Sequence, residues 1–160
     1  MSRLTADDLV ARAEISDTLH AYSRGVDRCD IDLLADLFSE DATFDYGHGN
    51  VTTGRADLRG LFEAATGRYT ATSHHVSTVS FLEVGDGTAR TIAYVYAFHD
   101  NAEQDLHLHV WGCYEDELVD EGDRWRIKAR KVRVAGTKTT GSEQLPERFQ
   151  RYERGGKRPL

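Results

Sequence analysis

The spacing of apolar residues divides the chain into a helical first part and a strand-rich second part. In the first part, apolar residues recur every three or four positions, the period of one helix face, at Ile15, Leu19, Tyr22 and Val26. From residue 70 onward, apolar and polar residues alternate, which is the period of a strand. The strands predicted from this alternation cover about 70–83, 88–99, 106–119 and 124–135. Helices followed by antiparallel strands predict an α+β fold.

Short local signals set the limits of the predicted helices and of the domain. Thr5 and Asp8 form a variant capping box at the start of the first helix, and Asp30 can cap a second helix in "IDLLADLF". The segment "DATFDYGHGNVTTG" predicts a strand, a turn and a strand, and "RADLRGLFEAA" predicts a third helix. We predict a single domain over residues 1–136 and a loosely ordered C-terminal tail over 137–160, where apolar residues are few.

The composition excludes several classes of protein. A chain of 160 residues with a net charge of −7 fits one folded domain and lacks the clustered Lys and Arg of a nucleic-acid binder. No apolar run approaches the roughly 20 residues of a membrane span, and the N-terminal segment lacks the apolar core of a signal peptide. Cys29 and Cys113 have neither metal-binding nor CxxC spacing. We therefore expect a cytoplasmic protein with free thiols, no nucleic-acid partner and no membrane partner.

Histidines are concentrated on the predicted strands, at His74, His75, His99, His107 and His109. The first two are adjacent, and because neighbours in a strand point to opposite faces, one of them faces the protein interior. His107 and His109 share a strand face with Trp111, and with Glu115 they form one candidate metal site. Each histidine taken alone is equally compatible with an ordinary surface or core position.

A histidine–carboxylate dyad is the second chemical hypothesis. A general base needs a partner that fixes its tautomer and stabilises its charged form, and a buried aspartate supplies both. Asp27, at the end of the first helix, lies near the edge of the predicted apolar face, so a solvated position is also open to it. Tyr22 and Tyr46 are either packed core aromatics or pocket residues.

Several segments resemble one known family. The order of a helix, "GVDRCDIDLLADLFSEDATFDY", "TGRADLRGLF", "TSHHVSTV" and "RWRIKARKV" resembles the SnoaL-like branch of the nuclear transport factor 2-like superfamily, over about residues 5–135. The resemblance implies a cone-shaped α+β barrel. In this fold, N-terminal helices pack in the concave face of a curved, mainly antiparallel sheet around a pocket. Proteins with this fold have many different functions, so the activity must be inferred from the residues of the site rather than from the fold.

The resemblance also implies roles for individual residues. "GVD" resembles the segment of dehydrochlorinase members that holds a catalytic aspartate, which implies that role for Asp27. "TSH" followed by "VST" implies that His74 is the catalytic histidine and faces inward, with His75 outward. "FDY" resembles the dehydratase segment with a pocket tyrosine, which implies a catalytic role for Tyr46. The substrate-binding residues implied are Tyr22, His99, His109 and Trp111.

The chain also departs from the dehydratase pattern. Val26 replaces a tyrosine before the aspartate, and the serine and asparagine of a later strand have no match near His109 and Trp111. We therefore do not expect this chain to share the substrate of the family's dehydratase members.

The leading functional hypothesis is a cofactor-independent lyase of the dehydratase type, acting on a small apolar or polycyclic substrate. An isomerase or polyketide cyclase with the same dyad is an alternative, because both begin with proton abstraction. A non-catalytic ligand-binding or assembly module is another, and a metal enzyme using His107 and His109 is a third. Apolar residues on the outer face of the sheet, together with the resemblance, predict a homodimer or homotrimer.

Overall fold

The computed structural model describes residues 3–47 and 49–141. Its helices are α1 (Ala6–Arg28), α2 (Ile31–Asp36) and α3 (Arg55–Thr66). Its strands are β1 (Phe38–Asp45), β2 (Val51–Thr53), β3 (Ala71–Gly85), β4 (Thr88–Asn101), β5 (Leu106–Asp120) and β6 (Trp125–Gly141). They form one sheet in the order β2-β1-β6-β5-β4-β3, in which β1 and β6 are parallel and the other four neighbouring pairs are antiparallel. The predicted α+β fold of helices against a curved, mainly antiparallel sheet is confirmed.

The helix limits follow from the local signals. Thr5 and Asp8 make both hydrogen bonds of the capping box, and the Asp30 carboxylate accepts from the backbone N–H of Leu33 to start α2. Between these two helices, Cys29 adopts a left-handed conformation and turns the chain sharply. None of the helices in the described part of the chain is long and apolar enough to cross a membrane.

Aromatic side chains from several elements form the centre of the core. Tyr22 of α1, Phe38 and Phe44 of β1, and Phe62 of α3 contact one another with ring centroids 5.3 to 6.4 Å apart. Such aromatic pairs contribute about 0.5–1.5 kcal/mol each beyond the burial of apolar area. The cluster therefore holds both α1 and α3 against the sheet.

The sheet extends further than the apolar alternation predicts. Strand β6 continues to Gly141, so residues 137–141, predicted in the loose tail, belong to the sheet, and residues 142–160 lie outside the described residues. The reason is backbone pairing: Thr137 to Gly141 pair with Val110 to Leu106 of β5. A hydrogen-bonded ladder needs no apolar side chains, so its polar end carries little signal in the sequence.

One glycine permits a close approach of two strands beside the cavity described below. The register of β5 and β6 shifts between Trp111 and Gly112. A side chain at Gly112 would place its Cβ only 2.1 Å from the carbonyl oxygen of Arg133. Only glycine fits here, and the irregularity bends the two strands where they border the cavity.

Candidate active site

A cavity of about 680 Å³ lies between helices α1 and α3 and one face of strands β3 to β6. Much of its lining is apolar, with Leu61, Phe62, Val95, Val110 and Val132 among the residues that form it. Its volume is in the usual range for small-molecule sites, which is about 300–1,000 Å³. The cavity can therefore accept a molecule of several rings.

A second cleft, of about 560 Å³, lies at another part of the sheet and has a charged lining. Two pairs of opposite charges there are already matched within the protein, Asp41 with Lys128 and Glu83 with Arg90. None of the histidines that the structure describes lines this cleft. The first cavity, which contains titratable groups in an apolar setting, is the better candidate for chemistry.

Asp27 and His74 meet at the wall of the first cavity. The Asp27 Oδ1 atom lies 2.8 Å from Nδ1 of His74, and the side chains are only 12% and 8% exposed. The same carboxylate accepts hydrogen bonds from the backbone N–H of His74, at 2.9 Å, and from the hydroxyl of Thr72, at 2.9 Å. Three donors thus fix one carboxylate, and the solvated position considered for Asp27 is not the one it occupies.

This arrangement selects one tautomer of the neutral His74 ring. An ionised carboxylate can only accept, so Nδ1 of His74 carries the proton that is donated to Asp27. The other ring nitrogen, Nε2, is then the basic atom of a side chain that lines the cavity. His75, its neighbour, contacts the Tyr96 ring instead and is absent from the cavity lining.

His99 brings a second imidazole into the same cavity. Its ring lies edge-on to that of His74 with centroids 5.2 Å apart, and 4.6 Å from the ring of Tyr69. Its Nδ1 atom lies 3.4 Å from the carbonyl oxygen of Leu108. Two imidazoles on neighbouring strands, one of them bonded to a carboxylate, give a ligand two separate groups for proton transfer.

Tyr22 and Tyr46 also line the cavity, at different depths. Tyr22 is buried, whereas Tyr46 lies toward solvent and is 41% exposed as a residue. Desolvation of the hydroxyls raises the pKa of both phenols above the ordinary value. Both hydroxyls are therefore protonated near neutral pH and can donate hydrogen bonds to a ligand.

A buried ion pair beneath the tyrosines has no counterpart in the sequence-based prediction. Arg130 and Asp116 form two parallel hydrogen bonds, at 2.7 and 2.8 Å, and both side chains are fully buried. The guanidinium carbon lies 4.2 Å from the ring centre of Tyr22 and 4.3 Å from that of Tyr114. Burial alone would lower the pKa of Arg130, but the Asp116 carboxylate outweighs burial and raises it. The pair supports the rings that form part of the cavity lining.

Two predicted substrate-binding residues lie on the opposite face of the sheet. Residues Leu108 and Val110 of β5 line the cavity, so the alternate residues His109 and Trp111 point away from it. His109 is bonded through Nδ1 to the Tyr96 hydroxyl at 2.8 Å, and Trp111 is 43% exposed. The pocket placement expected for these two residues is corrected, because strand alternation puts them on the face opposite the cavity.

His107 also faces away from the cavity, and the described residues do not support the metal hypothesis. Its Nε2 atom lies 3.4 Å from Asp100 Oδ1, and both side chains are buried. Over residues 3–47 and 49–141, no group of three or more His, Cys, Asp or Glu side chains is arranged to hold a metal ion. His107 and His109 therefore lack the third ligand that a metal site needs there.

Two features of the site carry weak signals in the sequence. Thr72 is two residues before His74, so period-two alternation alone places it on the same face. Asp116 alternates with Tyr114 and Leu118, which are both buried, and a charged residue in such a series indicates a buried partner. The identity of that partner, Arg130, depends on strand pairing and has no local signal.

Comparison with known proteins agrees with this fold. The family model for the SnoaL-like domain matches residues 7–131, so the chain belongs to the SnoaL-like family. Among curated proteins, an uncharacterized protein of Mycobacterium tuberculosis is 27% identical over 132 residues, which is 81% of this chain and 88% of the relative.

Solved structures similar to this chain include two proteins from Novosphingobium. A candidate scytalone dehydratase from N. aromaticivorans is 25% identical with a TM-score of 0.79, over 92% of this chain and 97% of that one. A type 3 hexachlorocyclohexane dehydrochlorinase from N. barchaimii is 19% identical with a TM-score of 0.79, over 88% of this chain and 98% of that one. The second likeness, at this identity, is one of fold alone.

Proposed function

We propose that the protein is a cofactor-independent lyase of the dehydratase type, with His74 as the general base and Asp27 as its partner. The observation that carries the proposal is the 2.8 Å contact between these side chains at the wall of an apolar cavity. The name of one similar structure, a candidate dehydratase, denotes an elimination and supports the proposal. Family membership supports the coarser statement that a small molecule is bound.

The proposed reaction begins with the abstraction of a proton from a carbon next to a carbonyl group. Nε2 of His74 takes the proton, and the Asp27 carboxylate stabilises the imidazolium that forms. The hydroxyl of Tyr46, protonated near neutral pH, donates a hydrogen bond to the carbonyl oxygen as negative charge develops there. General acid–base steps of this kind contribute roughly 10²–10⁴-fold each.

His99 is proposed to complete the elimination. The carbon–oxygen bond at the neighbouring carbon breaks, a carbon–carbon double bond forms, and a protonated His99 gives its proton to the leaving hydroxide, which departs as water. Isomerisation or cyclisation starts with the same abstraction but needs no acid for a leaving group. The second imidazole, 5.2 Å from the first, is the observation that favours elimination.

The test uses a simple substrate with the required chemistry, the aldol adduct of benzaldehyde and acetone. In D₂O, the protein should accelerate both deuterium entry next to the carbonyl and the formation of benzalacetone, which absorbs strongly in the ultraviolet. His74→Ala should remove both accelerations, and His75→Ala, a matched change on the same strand, should keep them. Equal rates with and without protein would leave the binding module as the better interpretation. Deuterium entry without benzalacetone would favour an isomerase or cyclase.

A further inference from the structure

The charge of the cavity differs from that of the whole chain. The chain has a net charge of −7, yet among residues 3–47 and 49–141 the lining of the cavity contains two arginines, Arg68 and Arg133, and no aspartate or glutamate. The Asp27 carboxylate is outside the lining and is bonded to His74. A low-dielectric cavity with positive side chains concentrates a field that attracts anions.

The two lining arginines differ in their partners. Nε of Arg133 donates to Glu115 at 3.1 Å, so its charge is already matched. Arg68 is exposed and lies just after the end of α3. Within residues 3–47 and 49–141 it forms no ion pair with a carboxylate. Arg68 is also close enough to Tyr46 to affect the pKa of its phenol. Desolvation raises that pKa, and the positive charges of Arg130 and Arg68 offset part of the increase.

Among residues 3–47 and 49–141, the lining offers no other cation that stays charged and unpaired, since His99 gives up its proton in the proposed elimination. Arg130 lies beneath the tyrosines, but Asp116 matches its charge with two hydrogen bonds. The Asp27 carboxylate, which is bonded to His74, disfavours a second negative charge nearby. An anionic group on a ligand is therefore directed to the outer end, where Arg68 is available, while its apolar part fills the interior.

We infer that Arg68 binds a carboxylate of the substrate at the mouth of the cavity, and that the substrate is an apolar acid. The inference rests on the proposed function for its reacting end, because the carboxylate at Arg68 would orient the remaining carbons toward His74. A guanidinium matches a carboxylate with two parallel hydrogen bonds, which a lysine does not reproduce. Arg68 is thus a specificity-determining residue.

The test compares two probes of nearly equal size, naphthylacetate and naphthylacetamide, by isothermal titration calorimetry. The natural protein should bind the acid about tenfold more tightly than the amide, as expected for a charged hydrogen-bonded pair near solvent. Arg68→Gln should bind both equally, and Arg68→Lys should retain part of the preference. Arg59→Gln is the control, since Arg59 is on α3, exposed, paired with Asp32 at 2.6 Å and outside the cavity lining.

Binding can be measured without turnover, which separates this inference from the proposed function. If His74→Ala still prefers the acid and neither the natural protein nor any variant catalyses the reaction, the proposed lyase activity is overturned and the anion site at Arg68 is supported. Catalysis with no preference for the acid, or a preference unchanged in Arg68→Gln, would overturn the anion site alone. If the preference for the acid is lost in His74→Ala but kept in Arg68→Gln, the anion binds at the imidazole. That result would also overturn the anion site at Arg68. Failure of the natural protein to bind either probe would count against an apolar acid as substrate.

Discussion

Two buried histidine–aspartate pairs occupy opposite faces of the same sheet. The pair on the cavity face joins His74 of β3 to Asp27 of α1 at 2.8 Å, and the pair on the outer face joins His107 of β5 to Asp100 of β4 at 3.4 Å. The two histidine side chains are equally buried, at 8% exposure each. Burial and a carboxylate neighbour therefore do not by themselves distinguish His74, the proposed general base, from His107.

The surroundings of the two pairs make the difference. Asp27 is fixed by a backbone N–H and by the Thr72 hydroxyl, and its partner histidine lines a cavity. His107 instead packs edge-on against the ring of Phe98, with centroids 4.9 Å apart, and lines neither cavity. A histidine can act on a ligand only when a ring nitrogen reaches it, and a carboxylate at the other nitrogen fixes the tautomer and stabilises the charged ring.

The largest effect should separate His74 from its neighbour on the strand. His74→Ala should slow deuterium exchange and elimination at least a hundredfold, because the general base is removed. His75→Ala should change the rates by less than about twofold, since a side chain on the far face cannot reach a ligand. Reversed results would mean that the chemistry lies on the outer face. Proton NMR in D₂O measures both rates.

Replacement of the carboxylate should be nearly as damaging to the rate and should also affect stability. Asp27→Asn removes the charge that supports the imidazolium, so we expect a loss of about a hundredfold. The carboxylate accepts three hydrogen bonds, whereas the NH₂ group of the amide cannot accept one and would face a donor that has lost its acceptor. The free energy of unfolding should therefore fall by about 1–3 kcal/mol. Urea denaturation measures the second effect. A rate near that of the natural protein would show that Asp27 only holds the fold.

The outer pair should show the opposite balance. Asp100→Asn should lower the free energy of unfolding by about 1–3 kcal/mol, since it replaces a buried carboxylate, 3.4 Å from Nε2 of His107, by an amide whose N–H donors need partners. The exchange rate at equal concentration of folded protein should remain within about twofold of the natural value. A rate loss comparable to that of Asp27→Asn would contradict the division of the sheet into a reactive face and a structural face.

The local parts of this comparison can be predicted from the sequence. The capping box at Thr5 and the helix period define α1, because both depend on residues close together in the chain. The contact of Asp27 with His74 spans 47 positions, and spacing alone left Asp27 at the edge of a helix face. The pairing of Asp27 with His74 was predicted only from the resemblance of "GVD" and "TSH" to segments of the family.

The assignment of strand faces is harder to predict. In β5, one face carries Leu108 and Val110 and the other carries His109 and Trp111. Either set of side chains is compatible with a protein interior, so the sequence does not show which face lines the cavity. An irregularity in β3 at Thr78, whose φ is 47°, puts Val76 and Val79 against the same core although they are three apart. Alternation is reliable only between such shifts, whose positions depend on pairing with other strands.

The smallest effect concerns the outer face as a contact between copies of the chain. Tyr94 is 56% and Trp111 43% exposed, and exposed aromatic residues on a sheet often mark an interface. We expect light scattering to give the mass of a dimer or trimer, as predicted from the sequence. Trp111→Lys should shift the protein toward the monomer by burying a charge in that contact. Because Trp111 is outside the cavity, the exchange rate should change by less than about twofold. A monomeric mass for the natural protein at high concentration would refute the interface, and a large rate loss in the variant would show that the two faces do not act independently.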